Sequence, residues 1–355
     1  MPGKINVIVV DDSAFMRKSI SIMLESDEEI KVIASARDGE EGYNLVKKYH
    51  PDLVTMDIEM PKMDGLMALQ KIMKDCPTSV IMISSLTTEG ADATIKAFEY
   101  GAVDFIPKEL SYINVNIIKI KEELIRKVKE IVRQNSIRER LRKLKRLKPD
   151  ASSEIDRSPL KFLPKIRYNS IALGVSTGGP LSLQKIVPYL SKNINCPVFI
   201  VQHMPPKFTK SLADRLNSLS KLEVKEAENN EVVRKGVVYI APGGFHMTIS
   251  KNSMGTFFVS ISQEPSTTLH RPSVDVMISS IVEGFGKNTL GVIMTGMGKD
   301  GLEGIRKLKK AGGYCLAQDE VSSVVFGMPK AVIEAGFADV VAPLEKISEI
   351  INRAF

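Results

Sequence analysis

Short apolar runs alternate with amphipathic stretches along most of the chain, in two separate series. The first series begins at Val7-Ile8-Val9-Val10 and continues at Lys31–Ala34, Leu53–Met56, Val80–Ile83 and Ala102–Ile106. Runs this short and this apolar mark strands buried on both faces. Between them, Phe15, Ile20, Met23 and Leu24 fit one helix, and Glu40–Lys48, Gly65–Lys74 and Thr88–Tyr100 read as three more. This alternation leaves little choice of fold. A strand that pairs in parallel with the next needs a crossover, and the helix supplies it, so the product is an open parallel sheet with helices on both faces. The second series runs through Ile171–Val175, Val198–Val201, Val237–Ile240, Leu290–Met294 and Tyr314–Ala317, with Phe257–Ile261 as a candidate hairpin strand. The fold class expected is α/β, with two doubly wound parallel-sheet domains, one flavodoxin-like and one Rossmann-like.

A helical, basic linker separates the two series. From Ile117 to Val132 two heptad tracks coincide, Ile117-Leu124-Ile131 and Ile118-Ile125-Val132, and Leu141, Leu144 and Leu147 extend a thinner stripe. Pro149, Ser152-Ser153, Pro159 and Pro164 then interrupt regular structure. The domains expected are 1–125, a linker at 126–167, and 168–355. Charge is concentrated in the linker. Residues 119–148 hold 13 Lys and Arg against 4 Asp and Glu, a net of +9 within a whole-chain +7, which leaves −2 elsewhere. No aromatic residue interleaves these charges to stack on bases, so a solvated face is the expectation and nucleic acid is not. No apolar stretch reaches the roughly 18 residues that span a bilayer, and no signal peptide is read at the start. The three cysteines, Cys76, Cys196 and Cys315, lie far apart without metal-ligand spacing. A cytoplasmic protein with reduced thiols and no membrane insertion is expected.

In parallel sheets, the C-terminal strand ends share one edge, and ligands bind there. In the first series that edge carries Asp11-Asp12, Asp57, Ser84-Ser85 and Pro107-Lys108. Three gathered carboxylates repel unless one is protonated or a cation joins them, and a hard divalent ion such as Mg²⁺ does the latter. Lys108 and Ser84 on the same rim suit an anion carried on Asp57. The set looks built for a carboxylate that accepts a phosphoryl group. The stretches Val9-Val10-Asp11-Asp12-Ser13, Met56-Asp57-Ile58-Glu59-Met60-Pro61, Ile83-Ser84-Ser85 and Ile106-Pro107-Lys108 resemble the receiver domain of bacterial two-component response regulators. That resemblance implies that Asp57 is the phosphoacceptor and that Asp11, Asp12 and Asp57 hold Mg²⁺. It implies that Ser84 senses the acyl phosphate, that Lys108 contacts it, and that Phe105 is the aromatic switch. A phosphohistidine on a sensor kinase would be the donor.

In the second series the edge opens with Gly174-Val175-Ser176-Thr177-Gly178-Gly179-Pro180. A serine on a tight strand-to-helix turn, flanked by glycines, has the form of a nucleophile elbow. An ordinary turn or a phosphate-cradling glycine loop is the alternative, but Ser176 stands where a dinucleotide loop needs its second glycine. A serine hydroxyl needs a base within reach, and the base an orienting acid. His203 directly follows its strand and is the first candidate base, with His246 and His270 behind it. Asp300 is the first candidate acid, with Asp319 and Asp275 behind it. The motifs Gly174–Pro180, Val201-Gln202-His203-Met204-Pro205, Ile240–His246, His270–Met277, Thr295–Gly301 and Gln318–Ser323 are similar to those of the chemotaxis receptor methylesterase family. The family implies a triad of Ser176, His203 and Asp300, with the Met297 N–H stabilising the oxyanion and no cofactor in the catalytic domain. It implies methyl-accepting chemotaxis receptors as substrate, a chemotaxis histidine kinase as phosphodonor and an unphosphorylated receiver that obstructs the receptor, and the same acyl chemistry would also turn a glutamine amide into glutamate. A response regulator with a nucleic-acid-binding output, through the basic linker, is the alternative function.

Overall fold

A computed structural model describes residues 4–108, 114–147 and 162–355, and the side chains of all of these except residues 114–117, 119 and 141–147. The chain divides into two compact units, Met1–Ile137 and Arg138–Phe355.

The first unit alternates without interruption. Its elements are β1 (Ile5–Val10), α1 (Ala14–Glu25), β2 (Ile30–Ala36), α2 (Gly39–Tyr49), β3 (Leu53–Asp57), α3 (Gly65–Asp75), β4 (Ser79–Ser84), α4 (Thr88–Glu99), β5 (Asp104–Pro107) and the part of α5 (Asn114–Leu147) up to Ile137. The strands form one sheet in the order β2-β1-β3-β4-β5, parallel throughout. Val7 to Val10 have no accessible surface, as a strand covered on both faces requires. Short polar residues start the helices. Ser13, Asp38, Asp64 and Thr87 each accept a first-turn N–H and satisfy a donor the helix leaves open.

Helix α5 carries the chain past the boundary expected at residue 125. Of its two heptad tracks one is buried, at Leu124 and Ile131, and the other only partly, with Ile125 and Val132 half-buried. Leu124, Val128 and Ile131 are buried, whereas Ile118 is 59% exposed. These three lie at i, i+4 and i+7, a single stripe, and the second track lies about 100° further round the helix. The side chains of Ile117, Leu141, Leu144 and Leu147, and the segment 148–161 with Pro149, Ser152, Ser153 and Pro159, lie outside the described residues.

The second unit holds β6 (Ser170–Val175), α6 (Gly179–Ile186), β7 (Val198–Gln202), α7 (Phe208–Leu219), β8 (Glu223–Glu226), β9 (Val237–Ile240), β10 (His246–Lys251), β11 (Phe257–Ser262), α8 (Val274–Phe285), β12 (Thr289–Ile293), α9 (Leu302–Lys310), β13 (Tyr314–Gln318), α10 (Met328–Glu334), β14 (Val340–Ala342) and α11 (Leu344–Ala354). Seven strands make one parallel sheet in the order β14-β13-β12-β6-β7-β9-β8, and β10 and β11 form a separate antiparallel hairpin. Two sheet strands carry no signal in the apolar pattern. Strand β8 reads Glu-Val-Lys-Glu on one edge, and β14 on the other is three residues long. Edge strands need bury only one side, so they can be short or charged. His246, read from sequence as part of an edge loop, is instead the first residue of β10 and is fully buried. No helix of the described residues is long and apolar enough to cross a membrane.

Candidate active site

Strand β6 is the first strand of its sheet and lies between β7 and β12. The chain winds outward from it in both directions, which leaves a crevice at the C-terminal ends of these strands. Ser176, His203 and the loop after β12 all open onto this crevice. Val175 pairs with Gln202, so the next residues, Ser176 and His203, leave the sheet side by side. The His203 N–H donates to Val175 O at 3.3 Å.

The elbow is held by its neighbours. The Ser176 N–H donates to Thr295 O at 3.0 Å. Gln202 Nε2 donates to Ser176 O at 3.0 Å and to His203 O at 3.2 Å. Thr295 Oγ1 donates to Thr177 O at 2.8 Å, and the Thr295 N–H donates to Gln318 Oε1 at 2.8 Å. Gly178 lies at φ +75°, in left-handed backbone that glycine adopts without strain. At Gly296 a Cβ would stand 2.9 Å from Ser176 Cβ, so only glycine lets the β12 loop come this close to the serine.

His203 Nε2 lies 2.8 Å from Asp300 Oδ2. Asp300 also accepts from Ser273 Oγ at 3.0 Å, the Val274 N–H at 2.8 Å and the Asp275 N–H at 3.0 Å. The carboxylate thus sits on the first turn of α8, where free N–H groups favour negative charge. Burial opposes that charge. The hydrogen bond and charge of His203, with the backbone donors, outweigh it and hold Asp300 well below the ordinary carboxylate range. With Nε2–H given to Asp300, the lone pair of a neutral His203 is on Nδ1. Nδ1 is buried and has no partner among the described residues.

The other candidates have other employment. His246 Nδ1 accepts the Ser273 N–H at 3.2 Å, and its Nε2 is 3.0 Å from Thr268 Oγ1. Burial lowers its proton affinity, and both nitrogens are engaged. His270 stacks face to face on His203, with ring centroids 4.2 Å apart. Asp319 Oδ1 closes its own turn by accepting from the Ser322 N–H and Oγ. Asp275 accepts the Gly304 N–H at 2.7 Å, and burial beside Asp300 pushes its carboxyl up to about 6.

In the first unit, Asp11, Asp12 and Asp57 present ligand oxygens within 4.8 Å of one another. Lys108 Nζ lies 2.6 Å from Asp57 Oδ2 and 3.3 Å from Asp11 Oδ2. Burial pushes Asp57 up to about 6 and Asp11 adds to this, while Lys108 works the other way. Burial likewise raises Asp11. Three hard oxygens converging on one point, two of them on buried carboxylates, fit a divalent cation of the size of Mg²⁺. The Ser84 hydroxyl donates to Gly90 O at 3.0 Å, not to Asp57. Phe105 is buried, edge-on to Phe98, and its carbonyl accepts from Lys127 Nζ at 2.9 Å.

Known proteins resemble this chain in both units. Residues 171–351 match the family model described as CheB methylesterase. Residues 7–116 match the response regulator receiver domain. The chain is 48% identical over 352 residues, 99% of its length and 94% of the relative's, to a protein-glutamate methylesterase/protein-glutamine glutaminase of Pyrococcus abyssi. It is 45% identical over 366 aligned positions to one of Oleidesulfovibrio alaskensis, covering 99% of each chain. The chain belongs to the CheB methylesterase family. The catalytic-domain crystal structure of Thermotoga maritima CheB methylesterase superposes on it with a TM-score of 0.51 at 47% identity, covering 54% of this chain and all of that one.

A CheB methylesterase domain accounts for the second unit, and nothing in these likenesses supports the nucleic-acid-binding output. Several residues that hold this candidate site were not singled out from sequence: Gln202, Ser273, Thr295, Gly296 and Gln318. A signal for two of them was available. Gln202 and Gln318 are polar residues that close otherwise apolar, buried strands, and a buried amide must find partners.

Proposed function

We propose that this chain is a phosphorylation-controlled serine hydrolase that removes methyl esters from glutamates of methyl-accepting chemotaxis receptors and deamidates receptor glutamines to glutamate. The observation that carries the reading is the His203 ring. It gives Nε2–H to a carboxylate and keeps Nδ1 buried and unpartnered, and His203 leaves the sheet next to Ser176. Full-length similarity to relatives named for both activities supports the same substrate class.

In this mechanism Ser176 Oγ attacks the ester carbonyl as Nδ1 of His203 takes its proton. Asp300 keeps the ring in the tautomer that leaves Nδ1 free and offsets the imidazolium charge. The N–H groups of Met297 and Thr177 bond no described protein group, and they are the donors for the developing oxyanion. His203 returns the proton to the departing methanol, or to ammonia from an amide. It then activates the water that frees glutamate.

Control rests on Asp57 as the phosphoacceptor, with a chemotaxis histidine kinase as donor. Asp11, Asp12 and Asp57 would hold Mg²⁺, which when bound offsets their charge as the phosphoryl group arrives. Lys108 is already paired to Asp57 and contacts the acyl phosphate. Ser84 turns from Gly90 towards it, and Phe105 is the switch side chain. The test is methanol release from methylated receptor, with and without a small-molecule acyl phosphate. Ser176→Ala should lose nearly all turnover while staying folded, and wild-type rates from that variant would end the assignment.

A further inference from the structure

Asp300 fixes His203 at one point only. A single hydrogen bond at Nε2 leaves the ring free to turn about the axis from Cβ through Nε2. That rotation changes where Nδ1 points without breaking the bond to the acid. No described group bonds Nδ1, so hydrogen bonding does not stop it. A second constraint lies against the ring face. The His270 imidazole is stacked on His203 with centroids 4.2 Å apart and planes within 17° of each other. A flat neighbour at that distance blocks the turn, because a rotated ring would drive an edge into it.

His270 is itself held. Its segment is pinned at both ends by His246, through Thr268 Oγ1 on one side and the Ser273 N–H on the other. Directly after it, Ser273, Val274 and Asp275 all donate to Asp300. One short stretch therefore orients the acid and covers the base. That is a more rigid arrangement than a half-exposed histidine on a hairpin-to-helix loop would otherwise have.

We propose that His270 is a positioning residue that sets the plane of the His203 ring and thereby aims Nδ1 at Ser176. The proposal rests on the hydrolase reading above, and it concerns the face of the imidazole and not its proton. His270→Ala should lower kcat on the order of 10- to 100-fold with KM little changed, as small misplacements of a reacting group do. His270→Phe restores a flat ring without an ionisable group and should recover most of the rate.

The experiment uses the full chain and two readouts. One is methanol release from methylated receptor. The other is the rate at which a fluorophosphonate labels Ser176, which depends on the serine and its base and not on receptor recognition. Melting curves establish that each variant is folded. The labelling rate should fall in His270→Ala and return in His270→Phe. An unchanged kcat and labelling rate in folded His270→Ala would overturn the proposal. So would a Phe variant as poor as Ala, which makes the proton the essential feature, or a raised KM with kcat intact, which makes His270 a substrate contact. If wild type labels rapidly but releases no methanol, the substrate assignment fails and the labelling series still decides the role of His270.

Discussion

Replacing Asp300 by Asn tests the acid with the least disturbance. The carboxylate accepts four hydrogen bonds, two at each oxygen. Oδ1 takes Ser273 Oγ and the Asp275 N–H, and Oδ2 takes the Val274 N–H and His203 Nε2. An amide offers one oxygen. With that oxygen at the Oδ2 position, the NH₂ group faces the Ser273 hydroxyl, which can reverse and accept, and the Asp275 N–H, which cannot. With the amide turned over, the NH₂ group faces the Val274 N–H and also the His203 Nε2–H. The first orientation leaves the Asp275 N–H without an acceptor and turns the Ser273 O–H away from its own, at about 1–3 kcal/mol for each unsatisfied donor. The second leaves the Val274 N–H without an acceptor and also forces the imidazole tautomer that puts the proton on Nδ1. Only the first keeps Nε2–H in place.

What the substituted amide lacks is charge. The imidazolium formed during attack would lose a carboxylate at hydrogen-bond contact. At roughly 4 Å between charge centres and an effective dielectric constant near 20, that is about 4 kcal/mol. Each 1.36 kcal/mol is a factor of ten, so kcat should fall by about 10³ with KM nearly unchanged. Steady-state methanol release, with melting curves alongside, measures it. A folded Asp300→Asn within about tenfold of wild type would refute the role given to the carboxylate.

The remaining tests are simpler. Gly296→Ala puts a Cβ 2.3 Å from Met328 Sδ and 2.9 Å from Ser176 Cβ, so the elbow must shift. The kcat of methanol release should drop by about 10- to 100-fold, with a smaller loss of thermal stability. Asp57→Asn should stabilise the metal-free chain near neutral pH. Burial has raised Asp57 from its ordinary 3.8 to about 6. The contribution of such a group is fully present below the unfolded value and is lost as pH rises through the folded one. The gain, up to about 3 kcal/mol, should therefore appear above pH 6 and fade below pH 4, read as melting temperature against pH. Chelation with EDTA should abolish stimulation by an acyl phosphate and leave basal methanol release unchanged. Stimulation that survives chelation would take the metal away from Asp11, Asp12 and Asp57.

Much of this site could be read along the chain because local rules govern where strands end. Val7–Val10, Leu53–Asp57, Ser170–Val175 and Val198–Gln202 are runs too apolar to lie anywhere but in a buried sheet. The residues that close or follow them, Asp11, Asp57, Ser176 and His203, therefore had to stand on the functional edges. Turn chemistry added Gly174–Pro180, and parallel pairing supplied the architecture. Elements with weak local signals escaped: β8 with its charges, β14 with its three residues, and β10, which took His246 out of the loops.

Apolar pattern and turn chemistry were enough to establish two parallel α/β sheets, the acidic rim and the elbow serine, since each depends on neighbours within a few residues. Only tertiary structure decided which histidine stands beside the serine with a nitrogen to spare. Three lay within reach of the same edge, and composition did not distinguish them. Strand order did, by setting β7 against β6 and wrapping the start of α8 round Asp300. It also decided which ring nitrogen is left open and what lies against the ring face. Those are matters of a few ångströms between residues about a hundred positions apart in the chain.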